Sequence, residues 1–282
     1  MISYAKLVHR HEPGMDEIAE SRSVAVRFLV EAARATAMQP VIALAGRAAR
    51  TTVSVLITGE SGTGKRALAH WIHASSERSG GPLVRTGGAA IAAALRSAVL
   101  RDRTPDGVFA GAVGGTLVID ELCDLPLDAQ AALVQLLDTP VRGAGAIAPR
   151  MIATSQYAAE RAVGAGKLRA DLYYALGVIA ITVPPLRQRA GDIPALVAAF
   201  LARSARGPVV ISDAALAWLA AADWPGNVRE LESAIERAVA LSDGGVIEIE
   251  DFTALGLAPR SASRPAGAEL TPDHHRRRWS GR

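Results

Sequence analysis

Cysteine is almost absent from this chain of 282 residues: Cys123 stands alone, so an internal disulfide and a cysteine-rich metal site are both excluded. Lysine is nearly as scarce. Of 31 basic residues only Lys6, Lys65 and Lys167 are lysines, whereas alanine occurs 56 times. The bias reads as coding composition, so a lysine here carries more information than an arginine. No uncharged run of 18 apolar residues exists, and the opening MISYAKLVHRHEPGMDEIAE lacks the apolar core of a signal peptide. A cytoplasmic protein with no membrane role is expected.

The composition, 50% hydrophobic and 21% charged, is enough for a sizeable core and too apolar for wholesale disorder. The pI of about 9.3 suggests a nucleic-acid binder. The excess is local, however, because residues 253–282 hold six arginines and two acids. As the whole chain carries +3, residues 1–252 sum to −1. The pI therefore reports a tail rather than a basic domain.

Short β-rich runs, VSVLIT (53–58), PLVRT (82–86), TLVID (116–120), RMIATS (150–155) and VIAITV (178–183), alternate with segments of helical periodicity such as AAIAAALRSAVLR and LDAQAALVQLLD. This alternation predicts an α/β fold with a mainly parallel sheet covered on both faces. After VPPLRQRAGDIP only helical patterns follow, with Ser212 as a predicted N-cap and Pro225-Gly226 as a break. Four regions are expected: an extension over 1–37, an α/β domain over 38–189, a small all-α domain over 190–252, and a disordered basic tail over 253–282.

The strongest local signal is Gly59-Glu60-Ser61-Gly62-Thr63-Gly64-Lys65, which follows a strand and opens a helix. In that setting backbone N–H groups and the helix N-terminus converge on phosphate oxygens, and the lysine reaches the terminal phosphates. Arg66 stands where many such loops place the hydroxyl that binds Mg²⁺. The run TLVIDEL then delivers Asp120 and Glu121. At the tip of a strand expected next to the loop's own strand, Asp120 can hold Mg²⁺ and Glu121 can orient or deprotonate water. His70 and His73 have metal-like spacing without an evident third ligand, which favours helix packing, and Cys123 reads as a small buried residue.

GESGTGK, IHASSERSGGPLV, GGTLVIDELCDLPLDAQAALVQLL, LRADLYYALGVIAITVPPLRQRAGDIP and WPGNVRELESAIERAV, in this order, resemble the AAA+ ATPase domain of bacterial sigma-54-dependent transcription activators across about residues 38–245. The resemblance implies a P-loop AAA+ three-layer domain followed by a helical lid, with ATP and Mg²⁺ bound between subunits of a ring. It further implies phosphate contacts from the loop through Lys65 and Arg66, catalysis by Glu121, a sensor arginine at Arg229, and Arg169 reaching the neighbouring subunit's nucleotide.

Departures from the family accompany the match. The segment from Pro82 to Gly114 is shorter than the family's and lacks its GAFTGA contact loop. Ala175 replaces a second subunit-contact arginine, Gly87 an asparagine that positions the catalytic glutamate, and Ser155-Gln156 the usual Thr-Asn. Neither a receiver domain nor a helix-turn-helix is expected from the flanking segments, so no direct DNA binding is expected. Three readings stand open: an ATP-binding regulator that acts through protein partners, as a homo-oligomer or mixed with related AAA+ activators; a hydrolysing remodeller of a different client; and a nucleotide-independent scaffold.

Overall fold

The computed structural model describes residues 37–256 apart from 89, 93–94, 96–107, 139–146, 204–208, 243–244 and 255. The expected extension through residue 36, the tail beyond 256 and most of the helix predicted at AAIAAALRSAVLR lie outside the described residues.

A parallel sheet organises the first part of the chain. Its strands are β1 (Val55–Thr58), β2 (Leu83–Gly87), β3 (Thr116–Asp120), β4 (Arg150–Ser155) and β5 (Ile179–Thr182), in the spatial order β2-β3-β4-β1-β5. Every residue of β1, β3 and β4 is buried, as expected of parallel strands covered on both faces. The order corrects one expectation. β3 is not beside the loop's strand, because β4 pairs with both and separates them.

Side-chain alternation along the strands makes two cores. Leu56, Leu117, Ile119 and Ala153 pack on one face with Ala129 and Leu133 of α4 (Leu127–Leu137) and Leu172 and Leu176 of α6 (Ala170–Leu176). Val55, Ile57, Val118 and Ile152 pack on the other with Ala45 of α1 (Gln39–Ala49) and Leu68 and Ile72 of α2 (Lys65–Ala74). Short helices α3 (Val108–Gly111) and α5 (Ala159–Gly164) complete this α/β domain. Each buried aliphatic side chain contributes roughly 1.5–3 kcal/mol.

Arg150 opens β4 almost wholly buried. Its Nη2 donates to Ala48 O at 2.7 Å and its Nε to Val53 O at 3.3 Å, tying the end of α1 to the segment just before β1. Burial lowers its pKa, and the nearby Arg78 charge adds to the effect.

A third core belongs to helices α7 (Ile193–Ala202), α8 (Asp213–Ala221), α9 (Asn227–Leu241) and α10 (Ile249–Thr253), with a two-stranded parallel pair β6 (Val210–Ile211) and β7 (Val246–Ile247). Ser212 caps α8 by accepting from Ala215 N, as the sequence predicts, a contact worth about 1 kcal/mol. The turn into α9 is unusual, because Trp224 and Asn227 both have positive φ, at 48° and 57°. Such backbone costs of order 1–2 kcal/mol at a non-glycine residue. It is held by Trp224 Nε1 donating to Leu219 O at 2.8 Å and by Asn227 N donating to Trp224 O at 2.7 Å.

Candidate nucleotide site

The phosphate loop leaves β1 at Thr58, and Gly64, at φ 100°, caps the first residue of α2. Lys65 is buried, and its Nζ donates to Gly59 O at 2.8 Å and Glu60 O at 3.1 Å while lying 3.3 Å from Glu121 Oε1. The loop therefore curls around its lysine, and the loop and the acidic pair meet at one ammonium. Thr63 Oγ1 donates to Glu60 O at 2.9 Å and closes the same turn.

Glu121 has φ 52° and is pinned from three sides. Its own N–H donates to Thr154 Oγ1 at 3.1 Å, its Oε2 accepts from Gln156 N at 2.8 Å, and its Oε1 faces Lys65. Because β4 lies between β1 and β3, the end of β4 supplies the first two of these contacts. Ser155 plays a different part: its hydroxyl donates to Tyr157 O and accepts from Tyr157 N, both at 3.0 Å, and lies 3.3 Å from Cys123 Sγ. Burial pushes the half-buried Cys123 thiol up, away from the reactive thiolate.

Asp120 is buried at the end of β3. Its Oδ2 is shared by Arg66 Nε at 3.0 Å and Arg85 Nε at 3.4 Å, and its Oδ1 has no hydrogen-bond partner among the described residues. Gly87 sits opposite Asp120 in the β2–β3 register.

The helical part closes directly on the loop. Arg187 clasps Glu60 in a fork, Nη1 to Oε2 at 2.7 Å and Nη2 to Oε1 at 2.6 Å, and Asn227 Nδ2 donates to Glu60 Oε2 at 3.2 Å and Ser61 O at 3.0 Å. The Arg187 hydrogen bond, above all, lowers the Glu60 pKa to about 2. Burial opposes it as the second-largest effect, and the smaller Asn227 hydrogen bond and Arg187 charge lower the pKa further. Arg189, buried beside Asp192, donates from Nη2 to Thr63 O at 2.6 Å. Arg229 Nη1 donates to Ser61 Oγ at 3.1 Å. The sequence reading singled out Arg229 but not Arg187, Arg189 or Asn227, although all three lie in LRQRAGDIP and WPGNVRE.

Arg169 lies elsewhere. It precedes α6, exposed to solvent, and its guanidinium forks onto Asp171 at 3.0 and 2.8 Å. Buried Gln130 sets its backbone: Gln130 Oε1 accepts from Arg169 N, and Nε2 donates to Leu125 O and Lys167 O, all at 2.9 Å. His73 Nδ1 meets Thr116 Oγ1 at 2.9 Å inside the domain, and among the described residues no three His, Cys, Asp or Glu gather as a metal site. His73 is thus a buried residue bonded within the domain. No helix among the described residues is long and apolar enough to cross a membrane.

The chain matches the sigma-54 interaction domain over residues 32–182 and the AAA+ ATPase lid domain over 187–268. It is 38% identical over 237 residues to the response regulator protein FleR of Pseudomonas aeruginosa, covering 77% of this chain and 50% of that one. It is 39% identical over 262 residues to the DNA-binding transcriptional regulator NtrC of Escherichia coli K12, covering 85% and 55%. The chain thus spans about half the length of the curated relatives it matches. Crystal structures of NtrX from Brucella abortus are similar: the complex with ATP at TM-score 0.67 and 29% identity, covering 80% of this chain and 57% of that one, and the complex with ADP at TM-score 0.66 and 31% identity, covering 77% and 54%. With its parallel sheet, phosphate loop and helical lid, and with the first match spanning more than half of its length, the chain belongs to the sigma-54 interaction domain family of AAA+ proteins.

Proposed function

We propose that this chain binds ATP and regulates transcription through protein partners, with weak or absent direct remodelling of sigma-54. The observation that carries the ATP site is the convergence on Lys65 of two loop carbonyls and Glu121, with Arg187, Arg189 and the lid residues Asn227 and Arg229 fastened to the same loop. The NtrX complexes with ATP and ADP support the same ligand. Residues 38–189 would form the nucleotide-binding domain and 190–252 the lid. The loop's N–H groups and Lys65 would hold the phosphates, and Arg229 would report the nucleotide to the lid. Arg169, exposed and oriented through Gln130, would reach a neighbouring copy or a related AAA+ partner.

Mg²⁺ fits the site at one place, the partnerless Oδ1 of Asp120; bound there, it would neutralise charge on the phosphates. Gly87 and Ala175, together with the short segment between Pro82 and Gly114, support slow or absent turnover and the loss of a direct sigma-54 contact.

The second reading, a hydrolysing remodeller of another client, draws on Glu121. Its carboxylate is held in place by Gln156 N and Lys65, as a residue that orients water needs to be. One experiment separates the readings: ATP binding and turnover measured in parallel across protein concentration, with Lys65→Ala and Glu121→Gln. Saturable binding lost in Lys65→Ala, without turnover at any concentration, supports the regulator. Turnover that rises with assembly and is abolished by Glu121→Gln supports the remodeller. Binding unaffected by Lys65→Ala would refute the site.

A further inference from the structure

Asp120 is crowded by cations from its own chain. Arg66, from the first turn of α2, and Arg85, from β2, converge on one carboxylate oxygen, at 3.0 and 3.4 Å. A carboxylate that serves mainly as a metal ligand keeps its oxygens for the metal and its waters. Here Oδ1 alone is free of a partner. Moreover, Arg66 follows Lys65 directly, at the position where a hydroxyl would otherwise coordinate the metal. At this position the chain carries a permanent positive charge and no hydroxyl.

The two arginines differ from Asp120 in exposure. Their side chains are 53% and 44% exposed, against 8% for Asp120, so the carboxylate is fixed and the guanidiniums can move. Arg66 occupies the first turn of the helix whose N-terminus faces the phosphate loop, and a guanidinium fork matches phosphate oxygens well. If Arg66 turns to a phosphate, Arg85 still holds Oδ2. Asp120 then keeps a cation beside it throughout, which weakens its attraction for a second one.

Accepting the nucleotide site proposed above, we infer that Arg66, with Arg85 steadying Asp120, takes over the charge neutralisation that a divalent cation would otherwise give, so that this chain binds nucleoside polyphosphates without requiring Mg²⁺.

The test is a titration of the full chain with a fluorescent ATP analogue, in excess Mg²⁺ and in excess EDTA, for the wild type and Arg66→Ser. The wild-type dissociation constant changes less than tenfold between the two conditions, whereas Arg66→Ser loses at least tenfold in EDTA relative to Mg²⁺. A wild-type loss of tenfold or more in EDTA overturns the inference. So does an Arg66→Ser variant that stays metal-indifferent, because the effect then does not belong to Arg66. Failure of the wild type to bind in either condition overturns the nucleotide site itself, a separate result. Circular dichroism of the variant checks its fold, and the wild-type comparison stands without it.

Discussion

Gly62 of the phosphate loop and Gly226 of the lid touch backbone to backbone: a Cβ added at Gly62 would lie deep inside the Gly226 carbonyl oxygen, and Gly62 itself has φ 77°. Two parts of the chain more than 160 positions apart therefore meet without room for a methyl group. Gly62→Ala has to break this approach and also strain the loop. A destabilisation of about 2 kcal/mol is expected, from left-handed backbone plus overpacking. ATP affinity should fall with it, because the lid residues Asn227 and Arg229 both bond Ser61 next door. Urea unfolding and ATP titration of the variant check both effects; unchanged stability would show that the lid does not rest on the loop in solution.

The Glu60 contact gives the same junction a pH signature. The pKa of Glu60 is lowered from 4.5 to about 2 in the folded chain, foremost by the Arg187 hydrogen bond. A carboxyl with a depressed folded pKa stabilises fully above its unfolded value and loses that contribution as pH falls through the folded one. The stabilisation should be intact above about pH 4.5 and fade between there and about pH 2. Both side chains are substantially exposed, 43% for Glu60 and 39% for Arg187, so solvent screening keeps the pair below about 1 kcal/mol. Glu60→Gln should be less stable than wild type at pH 7, and the gap should close with acidification. A gap that widens toward low pH would contradict the assignment.

Local order was the legible part of this molecule. The glycines around Lys65, the buried strand runs and the Ser212 cap each depend on residues close together in sequence, where spacing alone carries the information. Strand order is different: placing β4 between β1 and β3 depends on which edges pair, and all three strands are buried along their whole length. The same limit hid the lid contacts. Glu60 and Arg187 are 127 positions apart, and nothing near either residue reports that an arginine in LRQR closes on the loop. The Arg66–Asp120 pair was hidden in the same way, since the sequence shows only a missing hydroxyl and not where the new guanidinium goes.

Buried Gln130 separates positioning from binding. Its amide satisfies Leu125 O, Lys167 O and Arg169 N, so Gln130→Leu removes three hydrogen bonds at once and releases the segment that carries Arg169. Stability should drop by about 3 kcal/mol, at roughly 1 kcal/mol per bond. ATP affinity should stay near wild type, because Gln130 bonds Leu125, Lys167 and Arg169 and not the phosphate loop. Any assembly-dependent turnover should fall, as in Arg169→Ala. Binding and turnover that fall together would place Gln130 in the nucleotide site and not behind Arg169.

Gly87 offers a gain of function. It pairs in register with Asp120, one residue before Glu121, and a Cβ built there meets nothing within 4 Å. An asparagine therefore fits without displacing the strand, and its amide adds a donor and an acceptor beside the acidic pair. One well-placed hydrogen bond is worth about 1.4 kcal/mol, or roughly tenfold in rate. Gly87→Asn should raise ATP turnover by about that factor with the dissociation constant for ATP unchanged, and Glu121→Gln in the same background should abolish the gain. Steady-state turnover and nucleotide titration on the single and double variants decide the matter. If turnover stays flat while binding is intact, the glycine is not what holds hydrolysis back, and Ala175, in the helix that Arg169 precedes, becomes the departure to restore next.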